Sequence, residues 1–330
     1  MLPTLILLAA AATAAPRPLA MQTYRGADFT VPAKLSDMAA TCELGTTILM
    51  PEGKPKAEVL FLHGSGPFDR YGTVPGGTAI YRELALVLAQ QGIASVLFDK
   101  RTLYTACATA IDQRFLPEHF FEDALSVLNA AMASPVLAGL PLYVFGHSQG
   151  ATFAVEMTAR GMFAPRGLIL AGGLGRFPID ATVIRQLKQN AAAQTDPGTR
   201  KAAMVETKKA EDFFQRLRLG STRQNEAFLG AYSAFWKSMQ EMTEKAVTSA
   251  AKVRSSVLVI HGGADAQVTK EDYATLQTAF TAARFVQSRL FDNVTHLLTV
   301  GAEPGVSRAV AAEVAGFIIQ DLAAPQKTVP

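Results

Sequence analysis

Six short runs, "AEVLFLHG", "IASVLFDK", "PLYVFGHS", "GLILAGG", "SSVLVIHGG" and "RFVQSRLF", punctuate the chain from about residue 42 onward, and most are almost continuously apolar. A strand covered on one face alternates apolar with polar residues, so an unbroken apolar run reads as a strand buried on both faces. Helical periodicities lie between the runs. Tyr81, Leu84, Ala85 and Leu88 recur at i, i+3, i+4 and i+7, and Phe121, Ala124, Leu125 and Leu128 repeat that spacing. Gly92 stands where a glycine ends the first of these helices. Strands alternating with helices predict an α/β fold with a mainly parallel sheet and helices on both faces. With 330 residues and 49% hydrophobic content, the chain has the material for a large core.

One interval breaks the alternation. Residues 176–252 contain no strand-like run and read as helices throughout. Asp196-Pro197-Gly198 makes a turn within it, and Gly220 followed by Ser221 reads as a stop and restart. Phe228, Tyr232, Phe235, Met239 and Met242 then follow helical spacing on one face. Such a stripe packs on the core or roofs a pocket, and Phe235 and Met239 are the candidate pocket residues. The expected organisation is a core over 21–175, a helical cap over 176–252 and the rest of the core over 253–330.

Residues 1–20, "MLPTLILLAAAATAAPRPLA", read as a signal peptide and a short mature lead. The apolar run from Leu5 to Ala12 is too short to span a bilayer, and Ala12-Thr13-Ala14 fits a cleavage site. Export to a periplasm or the outside is therefore expected, with cleavage near Ala14. No later segment offers an apolar stretch long enough to cross a membrane. Only two cysteines occur, Cys42 and Cys107, which an exported protein can pair but which make no disulfide framework. Their pairing stays open at this point. Neither has a C-x-x-C partner and no His/Cys cluster has metal-ligand spacing, so no metal or cofactor is expected. A net charge of +3 without a lysine-arginine block argues against a nucleic-acid partner.

"YVFGHSQGA", residues 143–151, sets Gly146 and Gly150 two positions either side of Ser148. The stretch before the serine is a predicted strand and the one after it a predicted helix. A serine on that junction sits on a sharp turn, where side chains at 146 and 150 would collide with neighbouring backbone, so glycine is required. This is the nucleophile elbow. A serine hydroxyl needs a base, and the base an orienting acid. Of five histidines, His63 and His261 end strands before glycines, His147 adjoins the serine and points away, and His119 opens a helix. Only His296, in "FDNVTHLL", lies in a loop after the last predicted strand. "HGGADAQV" places Asp265 just past the preceding strand, while the rival Asp292 is close enough in sequence to His296 to be shaping its loop. An oxyanion hole needs two backbone N–H groups. Gln149, next after the serine, supplies one, and Ser65 in the glycine loop "FLHGSGPFDR", with Gly64 behind it, is the candidate for the other.

With these residues placed, the chain resembles the α/β-hydrolase family. Within it, the chain is similar to bacterial esterase-like members carrying "HGSGPxDR", "DKR", "GHSxG" and "GxxDxxV" in that order. The resemblance covers roughly residues 45 to 320 outside the insertion. In those relatives glycine usually follows "DKR", whereas Thr102 follows here, which implies a differently shaped loop. Asp69, Arg70, Asp99 and Arg101 read as structural ion pairs. The resemblance implies acyl transfer without a cofactor, with Ser148 as nucleophile, His296 as base and Asp265 as its partner, on a small-molecule carboxylic ester. A serine peptidase or amidase is the rival enzyme, and a catalytically silent binding protein a third reading. Glu211 and Asp212 in the insertion are ringed by Lys208, Lys209, Arg216 and Arg218, which reads as a solvated face and not as an amino-terminus clamp.

Overall fold

Eight strands form one sheet in the computed structural model, which describes residues 26–33, 42–74, 77–104, 107, 113–301, 303 and 305–324. The expected leader at residues 1–20 lies outside the described residues. In chain order the strands are β1 (Gly26–Ala33), β2 (Cys42–Leu49), β3 (Ala57–Leu62), β4 (Ile93–Phe98), β5 (Leu142–His147) and β6 (Gly167–Ala171). A two-stranded hairpin, β7 (Ala227–Phe228) and β8 (Ala231–Tyr232), intervenes before β9 (Ser256–Gly262) and β10 (Phe285–Phe291). The large sheet runs β1-β2-β4-β3-β5-β6-β9-β10. β4, β3, β5, β6, β9 and β10 are parallel to one another, and β1 and β2 join antiparallel at one edge.

All six sequence-predicted runs are strands of this sheet. In β3, β4, β5, β6 and β9 the continuous apolar character has the expected cause, because alternate residues feed two separate cores, whereas β10 is an edge strand with no buried residue. Leu60, Leu62, Val144 and Leu168 face one, together with α2 (Glu118–Met132) and α3 (Gln149–Ala159). Val59, Phe61, Phe145 and Ile169 face the other, under α1 (Ile80–Gln90) and α9 (Arg308–Ala323). The periodic residues Tyr81, Leu84, Ala85 and Leu88 are the buried face of α1, and Phe121, Ala124 and Leu128 that of α2. Gly92 follows α1 with a φ of 78°.

The segment between β6 and β9 holds α4 (Ile179–Ala193), α5 (Pro197–Arg218), the β7–β8 hairpin, α6 (Ser233–Glu244) and α7 (Ala246–Ala250). α8 (Lys270–Ala279) follows β9. Asp196 caps α5, its carboxylate accepting from Thr199 N–H, and Gly220 ends that helix at a φ of 65°. The segment is not helical throughout, however. Leu229 and Gly230 adopt φ values of 48° and 78°, and two successive positive φ values make the tight turn that matches the twist of paired strands. Phe228 and Tyr232 therefore belong to a hairpin. Only Phe235, Met239 and Met242 share the helical face, on α6. Phe228 instead stacks on Phe213 of α5 at 5.1 Å between ring centres and accepts from the Trp236 indole N–H at 2.8 Å.

Cys42 and Cys107 form a disulfide, which ties the first residue of β2 to the segment ahead of α2 across a sequence separation of 65. Among the described residues no helix is long and apolar enough to cross a membrane.

Candidate active site

β5 ends at His147 and α3 begins at Gln149, so Ser148 is the single residue of the turn between them. Its φ of 55° and ψ of −118° lie outside the regions that non-glycine residues favour. Strain of this kind persists where the surroundings over-determine it. The Ser148 N–H donates to Ala171 O on β6 at 2.8 Å, and the Ser148 carbonyl accepts from Ala151 N–H at 3.0 Å. A Cβ at Gly146 would lie 2.5 Å from Gly150 O and 2.7 Å from Ala151 Cα, while one at Gly150 would overlap Leu62 O. The two glycines let α3 press down onto the sheet, as the G-x-S-x-G spacing predicts.

His296 sits in the loop after β10, closed by Thr295 N–H donating to Thr299 O at 2.8 Å and by a bridge between Val294 and Val300. Its Nδ1 bonds Asp265 Oδ2 at 2.8 Å. The other Asp265 oxygen accepts from Gln267 N–H at 2.7 Å and Val268 N–H at 2.9 Å. Burial pushes the Asp265 carboxyl up, but His296 and these donors outweigh it and hold it below the usual range. With Nδ1 engaged, Nε2 is the imidazole nitrogen left for proton transfer. Asp292 is exposed, and the close approach of its backbone to Gly263 gives it the loop-shaping role.

The other histidines have other partners or a bracing role. His147 Nε2 bonds His296 O at 2.8 Å. A carbonyl only accepts, so Nε2 carries the proton and Nδ1 is bare. Nδ1 then accepts from the Tyr81 hydroxyl at 3.1 Å, whose oxygen accepts from Gly64 N–H at 3.2 Å. Burial, aided by His296, pushes His147 down to about 3, so it stays neutral and braces the backbone of His296. His63 packs edge-on between Tyr81 and Phe98, His261 stacks on Tyr273, and His119 accepts from Leu116 N–H at the start of α2.

Gly64 lies against the serine, where an added Cβ would be 3.3 Å from Ser148 Cβ. Ser65 follows it, exposed, and Gln149 is half-buried at the start of α3. Met239 on α6 accepts a hydrogen bond at its Sδ from Gln149 Nε2 at 3.8 Å. Phe235, one turn earlier, stacks on Phe115 at 5.7 Å between ring centres. Both are buried. Three of the four expected ion-pairing residues behave as such, since Arg70 holds Asp99 at 2.8 Å and Arg101 holds Asp123 at 2.6 Å. Asp69 instead accepts from Tyr71 N–H, Thr73 N–H and the Thr73 hydroxyl, capping a turn. Thr102 donates to Gly66 O at 3.2 Å, so the residue that departs from "DKRG" pins the glycine loop.

Three residues that sequence reasoning passed over stand in this assembly. Gly172 has a φ of 59°, and a Cβ there would be 3.1 Å from both Cε1 and Nδ1 of His296. Tyr81 was legible only as an apolar face residue of α1. Lys100, assigned no role within "DKR" from sequence, is buried. Its Nζ donates to Gly64 O at 2.6 Å and to Gln149 Oε1 at 2.8 Å.

The family described as serine aminopeptidase, S33 (Hydrolase_4) matches residues 53–303. Esterase EstD of Thermotoga maritima is 26% identical over 282 residues, covering 84% of this chain, and the chain spans 64% of that relative's length. Among solved structures, a carboxyl esterase from Bacillus coagulans superposes with a TM-score of 0.58 at 16% identity, over 91% of this chain and 100% of that one. An acylaminoacyl peptidase from Pyrococcus horikoshii gives 0.62 at 16% identity, over 94% of this chain and 43% of that one. The strand order and the extent of the family match agree: this chain belongs to the serine aminopeptidase, S33 family and has the α/β-hydrolase fold.

Proposed function

We propose that this protein is a serine hydrolase that cleaves small carboxylic esters through an acyl-enzyme. The observation that carries the reading is an imidazole oriented by a buried carboxylate, His296 on Asp265, in the same loop cluster as a serine held at positive φ. His296 Nε2 takes the Ser148 proton as Oγ attacks the carbonyl carbon. The tetrahedral oxyanion is received by the N–H groups of Gln149 and Ser65. Collapse expels the alcohol, which takes the proton back from His296. Water then repeats the sequence on the acyl-enzyme and releases the acid. No cofactor enters these steps.

The family's description also brings an aminopeptidase reading. A protease that reads a free amino terminus needs carboxylates to pair a buried ammonium. The adjacent acids Glu211 and Asp212 of the cap are engaged near the surface, Glu211 with Lys188 and Asp212 with Lys208. Esters are therefore the favoured substrates. A fluorophosphonate should label the wild type and not Ser148→Ala. Ser148→Ala and His296→Ala should cost ~10⁵–10⁶ in kcat, Asp265→Asn ~10⁴, and Ser148→Ala/His296→Ala no more than Ser148→Ala. Asp292→Asn should stay active. Retained labelling of Ser148→Ala, or equal specificity constants on p-nitrophenyl esters and aminoacyl p-nitroanilides, would overturn the reading.

We also propose export. The apolar N-terminal run and a disulfide, a bond that persists in oxidising compartments, support it. Expressed in a Gram-negative host, the protein should be periplasmic and begin near residue 15. A cytoplasmic, uncleaved product would refute this.

A further inference from the structure

The site contains a buried cation that the acyl-transfer scheme does not use. Lys100 follows β4, is only 4% exposed, and has no carboxylate partner among the described residues. The acids on either side are committed elsewhere, Asp99 to Arg70 and Tyr104 and Asp123 to Arg101. A buried ammonium without a counter-ion costs stability, and breaches of that rule gather at functional sites. Burial, with no acid to oppose it, pushes this group down to about 7.

Its hydrogen bonds say what it holds. One N–H goes to Gly64 O, one to Gln149 Oε1, and the ammonium stands 4.6 Å from the centre of the Phe120 ring. Both hydrogen bonds can be donated by the ammonium or by the free amine. With these contacts filled, Lys100 has little left to offer a substrate. Gly64 O belongs to the same peptide unit as Ser65 N–H. In a trans peptide the carbonyl and the N–H point in opposite directions, so fixing the oxygen on one side aims the N–H to the other. The Gly64 N–H is fixed separately by Tyr81. A donor on a peptide carbonyl also polarises the unit and strengthens its N–H as a donor.

We infer that Lys100 is a positioning residue of the oxyanion hole, bridging the Gly64 carbonyl and the Gln149 side chain and so linking the two places, Ser65 and Gln149, that supply its donors. The inference rests on the serine-hydrolase reading above, which names those donors. It assigns Lys100 no contact with substrate, and it predicts an effect on the transition state alone.

Lys100→Met keeps most of the unbranched stem of the side chain but donates nothing. It should lower kcat ~10- to 100-fold, less than or similar to deletion of a direct oxyanion donor. KM for a p-nitrophenyl ester should stay within about 3-fold, and any fall in Tm should be small, because removal of a buried charge offsets the loss of two hydrogen bonds. A trifluoromethyl ketone, which binds as a hemiketal oxyanion, should lose affinity by the same factor as kcat/KM. A kcat within about 3-fold of wild type, or a loss carried only by KM or Tm, overturns the inference. If Lys100→Met does not fold, Gln149→Met removes Oε1 while leaving the Gln149 backbone N–H position in place, and the same split between kcat and KM decides. Turnover that survives Ser148→Ala overturns the hydrolase reading and this inference together. Turnover that needs Ser148 but neither Lys100 nor Oε1 overturns this inference alone.

Discussion

At Gly172 a single missing methyl group decides where the His296 ring can stand. The residue follows β6, whose last carbonyl holds the Ser148 N–H, and it lies against the His296 ring. A Cβ there would be 3.1 Å from two ring atoms and 3.4 Å from Asp265 Oδ2, and the φ of 59° would itself be strained in any L-residue. Gly172→Ala should therefore displace the imidazole by a few tenths of an ångström and lower kcat ~10- to 100-fold, with a loss of stability of about 1–2 kcal/mol from the left-handed backbone. Kinetics and thermal melts on one preparation check both, and unaltered kcat would show that the ring does not need that space. The sequence displays "LAGG" only as a glycine pair after a strand, because the partner that crowds it comes from the far end of the chain. The triad candidates were legible for the opposite reason: each sits at the end of a strand, and strand ends can be read locally.

The element that couples the segment between β6 and β9 to the candidate site is α6. Met239 reaches Gln149 directly, and Phe235 lies against Phe115 and Phe120, on whose ring the Lys100 ammonium rests. A purely structural stripe would respond to truncation with a stability loss of ~2–5 kcal/mol and unchanged relative rates. These contacts instead predict that Met239→Ala shifts the order of rates across a series of p-nitrophenyl esters of rising acyl length. Identical relative rates in the variant and wild type would leave α6 as core alone. Sequence periodicity found this helix but started its stripe too early, at Phe228. Leu-Gly between aromatics is a weak turn signal, and a hairpin of two-residue strands is too short for alternation to register. A different limit hid β1 and β2, which are eight residues each. β1 is an edge strand whose residues are mostly exposed, and β2 interleaves threonine and glycine with its apolar residues, so neither shows the unbroken run that marked the parallel strands.

Stability of the whole molecule as a function of pH is set in part by groups far from the serine. Glu58 lies in β3, between β4 and β5 at the middle of the sheet, fully buried, and neither carboxyl oxygen has a hydrogen-bond partner among the described residues. Burial pushes it up from 4.5 to about 7. The folded state therefore keeps a proton that the unfolded chain has already lost. Its contribution is fully present below about pH 4.5 and is lost as pH rises through about 7. A shift of this size corresponds to about 3 kcal/mol. His63 and His147, each pushed from 6.5 down to about 3 by burial first of all, act in the opposite sense. Their contribution is present above about pH 6.5 and is lost as pH falls toward about 3. A comparison of wild type with Glu58→Met cancels the histidines, which both proteins share. The variant's stability relative to wild type should rise steadily between pH 4.5 and 7 and level off above it, with a Tm advantage of roughly 5 °C at pH 8 over that at pH 4.5. Melting curves across that range, fitted for the difference in Tm, measure it. A difference that does not change with pH would mean that Glu58 ionises in the folded sheet as it does in the unfolded chain.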